Sequence, residues 1–192
     1  MKRYLIAIMA AVLITGSVSA QNVNFGIKGG LNLYNINQDN NSGLDRKAGF
    51  HFGLLAHIHL AKQFAMQPEV VYSVQGGKYK VGTVETHVNL DYVNVPVLFQ
   101  YMFDNGFRLQ AGPQVGFLNK AKSKTNDVNT DIKDNYEPIE FGLAMGVGYV
   151  HPPSGFGFDA RYNAGLSAIN KNGADSFNRG FQVGLFFLFK HE

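Results

Sequence analysis

The chain has 192 residues, which is enough for one domain with its own core, and it contains no cysteine, so disulfide bonds cannot stabilise it. Its 17 Lys and Arg include Lys2 and Arg3, so a chain beginning at Gln21 would carry 15 basic against 14 acidic residues. With this near-balance and no basic stripe, the composition does not indicate nucleic-acid binding.

The N-terminus has the pattern of a secretory signal peptide. Met1-Lys2-Arg3 is basic, residues 4–15 are apolar, and Val18-Ser19-Ala20 offers the small residues that a signal peptidase requires. The apolar run is shorter than the roughly 20 residues of a membrane-spanning helix. We therefore predict a cleaved signal peptide over residues 1–20 and an exported domain over residues 21–192.

Apolar residues alternate with polar residues or glycine through most of the exported domain. Near its start, Val23, Phe25 and Ile27 alternate with Asn24 and Gly26. A period of two predicts β-strands with one apolar face. We expect eight strands, at residues 23–34, 48–60, 65–76, 88–101, 107–118, 138–150, 156–166 and 179–189.

The connections between these segments alternate in length. Short turns at 61–64, 102–106 and 151–155 alternate with longer polar segments at 35–47, 77–87, 119–137 and 167–178. This alternation is typical of outer-membrane barrels, in which the short turns are periplasmic. The sequence therefore predicts an all-β protein, an eight-stranded antiparallel up-and-down transmembrane β-barrel in the outer membrane of a Gram-negative cell.

Three features favour a membrane barrel over a soluble one. The polar phase is rich in glycine, which relieves crowding in a small lumen, and the apolar phase carries more large side chains than an eight-stranded interior can hold. Aromatic residues also collect where strands end, as the interfacial girdles of membrane barrels do. They are Phe25, Phe64, Tyr101, Phe103, Phe107, Tyr149 and Phe156 at the short-turn end, and Tyr34, Tyr79, Phe117 and Tyr136 toward the other.

Six charged residues lie inside strands on the polar phase. If this phase faced lipid, a Lys or Arg at the membrane midplane would destabilise the inserted protein by about 2–4 kcal/mol. We expect them to form an ion-pair network that plugs the lumen, with Lys28, Arg108 and Arg161 opposite Glu69 and Asp159. A charged ring lining a pore is the alternative. The six are Lys28, Glu69, Arg108, Glu140, Asp159 and Arg161.

Three histidines share the inward phase of the second strand: His51, His57 and His59. A pair two residues apart could bind a metal, but no second cluster completes the coordination, so we expect hydrogen bonding in the lumen. We predict no metal and no cofactor. The sequence shows no hydrolase, zinc-protease or phosphate-loop motif, and only His51 and Glu140 would be candidates for an enzyme site at the lumen mouth.

Several short segments resemble the PorT-like family of small outer-membrane β-barrel proteins. They are Gly26-Ile27-Lys28-Gly29-Gly30-Leu31-Asn32, Gln67-Pro68-Glu69-Val70-Val71-Tyr72-Ser73, Val95-Pro96-Val97-Leu98, Ala111-Gly112-Pro113 and Asp159-Ala160-Arg161-Tyr162-Asn163. The resemblance covers nearly all of residues 21–189. It implies the fold and the outer-membrane location, but no particular activity.

The last strand is similar to the assembly signal of outer-membrane proteins, which ends in an alternating apolar and aromatic pattern. Gln182, Gly184, Phe187 and Phe189 carry the likeness, followed by the overhang Lys190-His191-Glu192. This similarity implies that the barrel-assembly machinery recognises the strand. The other expected partners are outer-membrane lipid and an unidentified extracellular molecule.

We therefore expect a non-enzymatic barrel with a plugged lumen, whose long loops give it a structural or surface-interaction role. One alternative is a narrow channel or an accessory subunit of an outer-membrane transport or secretion machine. A second alternative is a soluble periplasmic barrel that binds an apolar ligand.

Overall fold

The computed structural model describes residues 23–38, 44–81, 83–126, 128–173 and 175–189, and the predicted signal peptide lies outside these ranges. Almost all of the described chain is β-structure, with a single turn of 3₁₀-helix at Lys133–Asn135. The strands are β1 (Val23–Gln38), β2 (Asp45–Ala61), β3 (Phe64–Val81), β4 (Val84–Met102), β5 (Phe107–Thr125), β6 (Val128–Asp131), β7 (Ile139–Val150), β8 (Phe156–Gly165) and β9 (Ser176–Leu188).

Eight of these strands close into a barrel. Each pairs antiparallel with the next in the order β1-β2-β3-β4-β5-β7-β8-β9, and β9 pairs back onto β1. The short β6 pairs only with the outer end of β5, as in Lys122 opposite Asp131. The predicted eight-stranded up-and-down barrel is confirmed, with β6 as an addition. None of the helical segments in the described part of the chain has the length and hydrophobicity to cross a membrane.

The outer surface of the barrel carries the apolar phase of the strands. Phe52 is 55% exposed and Leu54 64% exposed on β2, and Phe141 is equally open on β7. The six charged residues of the polar phase are all buried inside. Since an apolar outer belt and a polar interior suit a bilayer and not water, this arrangement identifies a membrane-spanning barrel.

The aromatic residues at the short-turn end form a chain of ring contacts on the outside. Phe64 contacts Tyr101 with ring centroids 5.3 Å apart, Tyr101 contacts Phe103 at 5.0 Å, and Phe103 contacts Phe107 at 5.6 Å. On the other side of the barrel, Phe187 lies 5.2 Å from Phe156. At this end the rings are placed as an interfacial girdle requires.

The barrel wall is much taller at the long-loop end than the sequence pattern predicts. β3 continues to Val81 and β4 begins at Val84, which lies opposite Val81, and Lys78 lies opposite His87, so the predicted loop 77–87 is wrong. Similarly, β5 continues to Thr125 through the first part of the predicted loop 119–137. The β-branched residues of the segment favour extended backbone even though its polar composition suggested a loop.

An apolar core lies inside the barrel at the long-loop end. It is formed by inward-facing side chains of the tall strands and by Ile169 from the β8–β9 connection. The two connections that cover it are joined by backbone hydrogen bonds, from Glu137 N–H to the Ile169 carbonyl (2.8 Å) and from Lys171 N–H to the Asn135 carbonyl (3.0 Å). This long-loop core consists of Ile36, Val88, Leu90, Tyr92, Leu118, Ala121 and Ile169.

Three of the aromatic residues predicted for the outer girdle lie elsewhere. Tyr79 is on the inward-facing phase of β3, opposite the buried Thr86. Tyr34 is buried inside the barrel, where its hydroxyl accepts a hydrogen bond from Asn163 (2.8 Å). Tyr136 is half-buried and packs against the long-loop core. These predictions were wrong because proximity to a strand end does not determine whether a side chain points outward.

Candidate functional site

Four charged side chains meet in the middle of the lumen, and we call them the central ion cluster: Lys28, Glu69, Asp159 and Arg161. The Lys28 ammonium lies 3.3 Å from a Glu69 oxygen and 2.9 Å from an Asp159 oxygen. The Arg161 guanidinium donates to both Glu69 oxygens, at 2.9 and 3.0 Å, and to Asp159 at 2.8 Å. Two positive and two negative charges are thus brought together from β1, β3 and β8.

Glycines beside these residues leave room for the long side chains. Lys28 is opposite Gly53 on β2, and Arg161 is opposite Gly146 on β7. Asp159 lies between Gly148 and Gly184 on its two neighbouring strands. In a lumen that is only just wide enough for side chains, an added Cβ would meet Arg161 at Gly146, Arg108 at Gly148 and the His51 ring at Gly184.

All four charges of the cluster are almost completely shielded from solvent. Glu69 also accepts a hydrogen bond from Gln67 at 2.8 Å. Because the cluster is neutral and each charge has an opposite partner, its attraction offsets the cost of removing the charges from water. Loss of any one member would leave an uncompensated buried charge.

A layer of amide and hydroxyl groups adjoins the ion cluster toward the long-loop end. His51 shares a hydrogen bond with Asn32 at 2.7 Å, and Asn32 donates to Ser73 at 3.0 Å. Gln182 of the last strand donates to the same Ser73 hydroxyl at 3.4 Å, and Gln75 donates to it at 3.0 Å. This polar layer connects the central ion cluster to the long-loop core.

The other two histidines lie near the short-turn end. His57 is buried, and its ring makes an edge-on contact with the His59 ring, with centroids 4.6 Å apart. In the described residues, no group of three or more His, Cys, Asp or Glu side chains has the arrangement of a metal site.

Two of the six predicted network residues do not join it, and this corrects the prediction. Arg108 donates to Gln100 (3.3 Å), and Glu140 accepts from Asn178 (3.4 Å); within the described residues neither forms an ion pair. Arg108 lies near the start of β5, whereas Glu140 is opposite Gly116 further along it. At about 3.3 Å per residue, Glu140 is too far along the barrel to reach the ion cluster. Arg108 is in register with Asp159 through Gly148 but is not within ion-pair distance of its carboxylate.

The last strand occupies the closing position of the barrel between β8 and β1. Of the predicted assembly-signal residues, Gln182 points into the polar layer and Gly184 is opposite Gly30, close to the His51 ring. Phe187 faces outward, with its ring 5.5 Å from that of Phe189. Alternate residues of β9 thus face the lumen and the lipid.

At the long-loop end, the outer face of the tall strands is basic. Lys120, Lys122 and Lys124, which we call the lysine row, are exposed on one face of β5. On the adjoining hairpin, Glu85 pairs with Lys80 at 3.1 Å and with His87 at 2.8 Å. The hydrogen bond from Lys80 lowers the pKa of the Glu85 carboxyl from its ordinary value, which keeps it ionised.

Asp91 is a charged residue on the outward-facing phase of β4, and the structure gives it a partner. Its carboxylate accepts a hydrogen bond from the Tyr72 hydroxyl at 2.7 Å on the neighbouring strand. It lies opposite Lys120, at the lower end of the lysine row. The Tyr72 hydroxyl thus satisfies the Asp91 carboxylate at the height where the apolar outer belt ends and the basic outer face begins.

Two parts of the interior were missed by sequence reasoning. The polar layer escaped because single Asn, Gln and Ser residues carry no motif, although all of them lie on the predicted inward phase. The long-loop core could have been predicted from the sequence, because Val88, Leu90 and Tyr92 lie on the same inward-facing phase of β4 as Asn94. Three apolar residues on that phase indicate a dry interior at this height.

A closed antiparallel barrel with an apolar belt and a polar lumen defines an integral outer-membrane protein. The sequence profile of the outer membrane protein beta-barrel domain matches residues 19–171. The chain belongs to this family, and its location is the outer membrane. No curated protein shows significant sequence similarity to the chain.

Solved structures show the same architecture at low sequence identity. Neisserial surface protein A matches with a TM-score of 0.59 and 13% identity, over 86% of this chain and 97% of that one. Ail, the attachment invasion locus protein of Yersinia pestis, matches with a TM-score of 0.54 and 16% identity, over 88% and 99%. A second structure of Ail, in complex with the heparin analogue sucrose octasulfate, matches with the same TM-score. At these identities the likeness concerns the fold.

Proposed function

We propose that this protein is a non-enzymatic outer-membrane barrel that does not conduct, and that it acts through its long-loop end as an interaction surface. By the usual orientation of such barrels, that end is extracellular and the short turns are periplasmic. The remaining alternative is a narrow channel or an accessory subunit of a transport machine. A soluble periplasmic barrel is excluded by the apolar outer belt and the family.

The observation that supports this proposal is a series of three groups of buried side chains along the lumen. The central ion cluster occupies its middle, the polar layer follows, and the long-loop core completes the series. Leu90 and Tyr92 at one end of this series and Ser73 within it are fully buried. An ion that crossed the barrel would have to displace paired charges and then an apolar core, which costs many kcal/mol.

Conductance in planar lipid bilayers tests this proposal. We expect the purified mature protein to give no stable openings in 1 M KCl. Two variants form a matched pair. The double variant with Leu90→Ala and Tyr92→Ala removes two large side chains from the long-loop core. Its control, Val93→Ala, shortens a side chain on the outward-facing phase of the same strand. If wild-type protein gives reproducible channels of constant size, the plugged barrel is wrong and the channel alternative is supported.

The lysine row favours an anionic partner for the interaction surface. Lys120 and Lys122 are exposed, and no carboxylate of the described chain lies within ion-pair distance of either ammonium. Repeated cations on one face suit a polyanion, since each contact adds to a common field. We propose a sulfated or phosphorylated saccharide as the chemical class; the sucrose octasulfate complex of Ail supplies a suitable probe.

Binding of sucrose octasulfate to the protein in neutral detergent tests this assignment. We expect saturable binding that weakens about tenfold or more when Lys120→Gln and Lys122→Gln are combined. Lys171→Gln, an exposed lysine in the β8–β9 connection, is the control and should bind like wild type. Equal binding by the double variant and the control would contradict the role of the lysine row.

We further propose that the last strand is the contact with the barrel-assembly machinery. Two observations support this proposal: β9 closes the barrel against β1, and its residues alternate between facing the lumen and facing lipid. Phe187→Ser should slow folding into native outer membranes more than Phe158→Ser, which removes an outward ring from the neighbouring strand. Equal folding rates for the two variants would contradict it.

A further inference from the structure

A cavity of about 360 Å³ opens at the short-turn end, and we call it the vestibule. It is surrounded by strand ends from most of the barrel, and four of its lining side chains are basic or imidazole groups. Among the described lining residues, Asp104, which lies in the β4–β5 turn, is the only acid. The four are His57, His59, Lys62 and Arg108.

Arg108 is the main indication that the vestibule has an occupant. Its side chain is only 3% exposed, and the guanidinium lies over the Phe186 ring, 5.5 Å from the centroid. One hydrogen bond reaches the neutral Gln100, while Nε has no acceptor in the described structure. A buried guanidinium normally has a carboxylate or phosphate partner, because its desolvation is otherwise uncompensated.

The central ion cluster does not supply that partner. Asp159 lies at the same level as Arg108, with Gly148 on the strand between them. However, the Asp159 Oδ2 atom already accepts from Lys28 and Arg161, and its Oδ1 atom has no hydrogen-bond partner in the described structure, so Asp159 forms no ion pair with Arg108. The charge of Arg108 is therefore unmatched and faces the vestibule.

The other groups of the vestibule add donors to the same space. His57 is 1% exposed, and its Nδ1 has no hydrogen-bond partner in the described structure. Lys62 lies in the exposed β2–β3 turn at the rim, and the amide of Asn24 also lines the cavity. A buried guanidinium, an imidazole and a flexible ammonium around one opening are a chemical match for an oxyanion.

We propose that the vestibule binds a single phosphate or carboxylate group, with Arg108 as its principal ligand and Lys62 and His57 as further donors. The orientation rule for outer-membrane barrels places this site on the periplasmic side. The group could be a soluble anion or the phosphate of an inner-leaflet lipid. In either case the site is separate from the proposed interaction surface and does not depend on it.

The test is a titration of the full mature protein with inorganic phosphate in neutral detergent, with ionic strength held constant by chloride. The readout is the NMR signal of the Arg108 Nε–H and of the His57 ring. We expect saturable shifts, at least tenfold weaker affinity in Arg108→Gln, and several-fold weaker affinity in Lys62→Gln. Lys171→Gln, an exposed lysine at the opposite end, should bind like wild type.

Lys62→Gln keeps the proposal testable if Arg108→Gln does not fold, since Lys62 is exposed and its loss should leave the barrel intact. Titration of phosphatidylglycerol into phosphatidylcholine nanodiscs distinguishes the sources. Saturation by inorganic phosphate supports a soluble anion, and saturation by the lipid alone supports a headgroup. The proposal is overturned if neither ligand gives saturable shifts, if chloride gives the same shifts, or if Lys62→Gln binds like wild type.

Discussion

Glu69 and Arg161 form a two-pronged ion pair across the lumen, with Nη1 to Oε2 at 2.9 Å and Nη2 to Oε1 at 3.0 Å. The residues are 92 positions apart in sequence and lie on β3 and β8. The pair therefore joins strands that share no backbone hydrogen bonds in the barrel. Two parallel bonds to one carboxylate also fix the geometry of the guanidinium.

Removal of Glu69 should destabilise the barrel strongly. Glu69→Gln leaves Arg161 and Lys28 with only Asp159, and an uncompensated charge in a dry site costs about 3–5 kcal/mol. Thermal unfolding, followed by heat-modifiable migration on gels, should show a clearly lower midpoint. Glu85→Gln is the control: it breaks an exposed pair that solvent screens, so its midpoint should hardly change.

A second change should restore part of this loss. Lys28→Met added to Glu69→Gln removes one of the two positive charges, so that Arg161 and Asp159 balance each other again. We expect the double variant to lose at least 1 kcal/mol less stability than the sum of the losses in the two single variants. Strict additivity would show that Lys28 and Glu69 do not interact.

An arginine on the outer belt should impair insertion according to its depth. Leu54 is 64% exposed in the middle of β2, where an arginine facing lipid costs about 2–4 kcal/mol. Leu166 is 66% exposed but follows the end of β8 at the long-loop end, where the cost falls to about 0–1 kcal/mol. The folded fraction in liposomes should drop for Leu54→Arg and stay near wild type for Leu166→Arg. Equal folding of both would contradict the assigned depths.

A methyl group at Gly180 should not be tolerated. Its added carbon would lie 2.6 Å from a ring carbon of Tyr34, which is buried beneath it. Gly29→Ala is the matched control, because its nearest neighbour would be the His51 carbonyl oxygen at 3.5 Å, an ordinary contact. We expect Gly180→Ala to lower stability by about 1–3 kcal/mol, as overpacking does, with little effect at Gly29. A tolerated Gly180→Ala would mean that Tyr34 does not pack there.

The alternation of residues predicted which side chains face lipid and which face the lumen, because a period of two assigns each strand one apolar face. Phe52 and Lys28 are on the sides that this rule requires. The identity of the ion pairs could not be predicted, since Lys28 and Asp159 are 131 positions apart and meet only through the register of the closed sheet. Glu140 was misassigned for that reason, since phase determines the face and register determines the height. Arg108 is in register with Asp159 through Gly148, and the sequence could not show that Lys28 and Arg161 would pair with Asp159 instead.

The long-loop end was predicted least well. Polar composition at 77–87 suggested a loop, but strands that rise above the bilayer no longer need an apolar outer face. The outer positions of this segment can therefore be Lys78, Lys80 and Glu85 while the backbone stays in the sheet. The apolar residues at this height instead face inward, as Leu90 and Tyr92 do.

The filled lumen is tested most directly by solvent access to Ser73. The chain has no cysteine, so Ser73→Cys introduces a unique thiol into the polar layer, where the native side chain is fully buried. Lys122→Cys places one on the exposed lysine row as the control. In folded protein in liposomes, a membrane-impermeant maleimide should label position 122 within minutes and leave position 73 unmodified until the barrel is denatured. Equally fast labelling of both thiols in folded barrels would show an open, water-filled lumen and contradict the account.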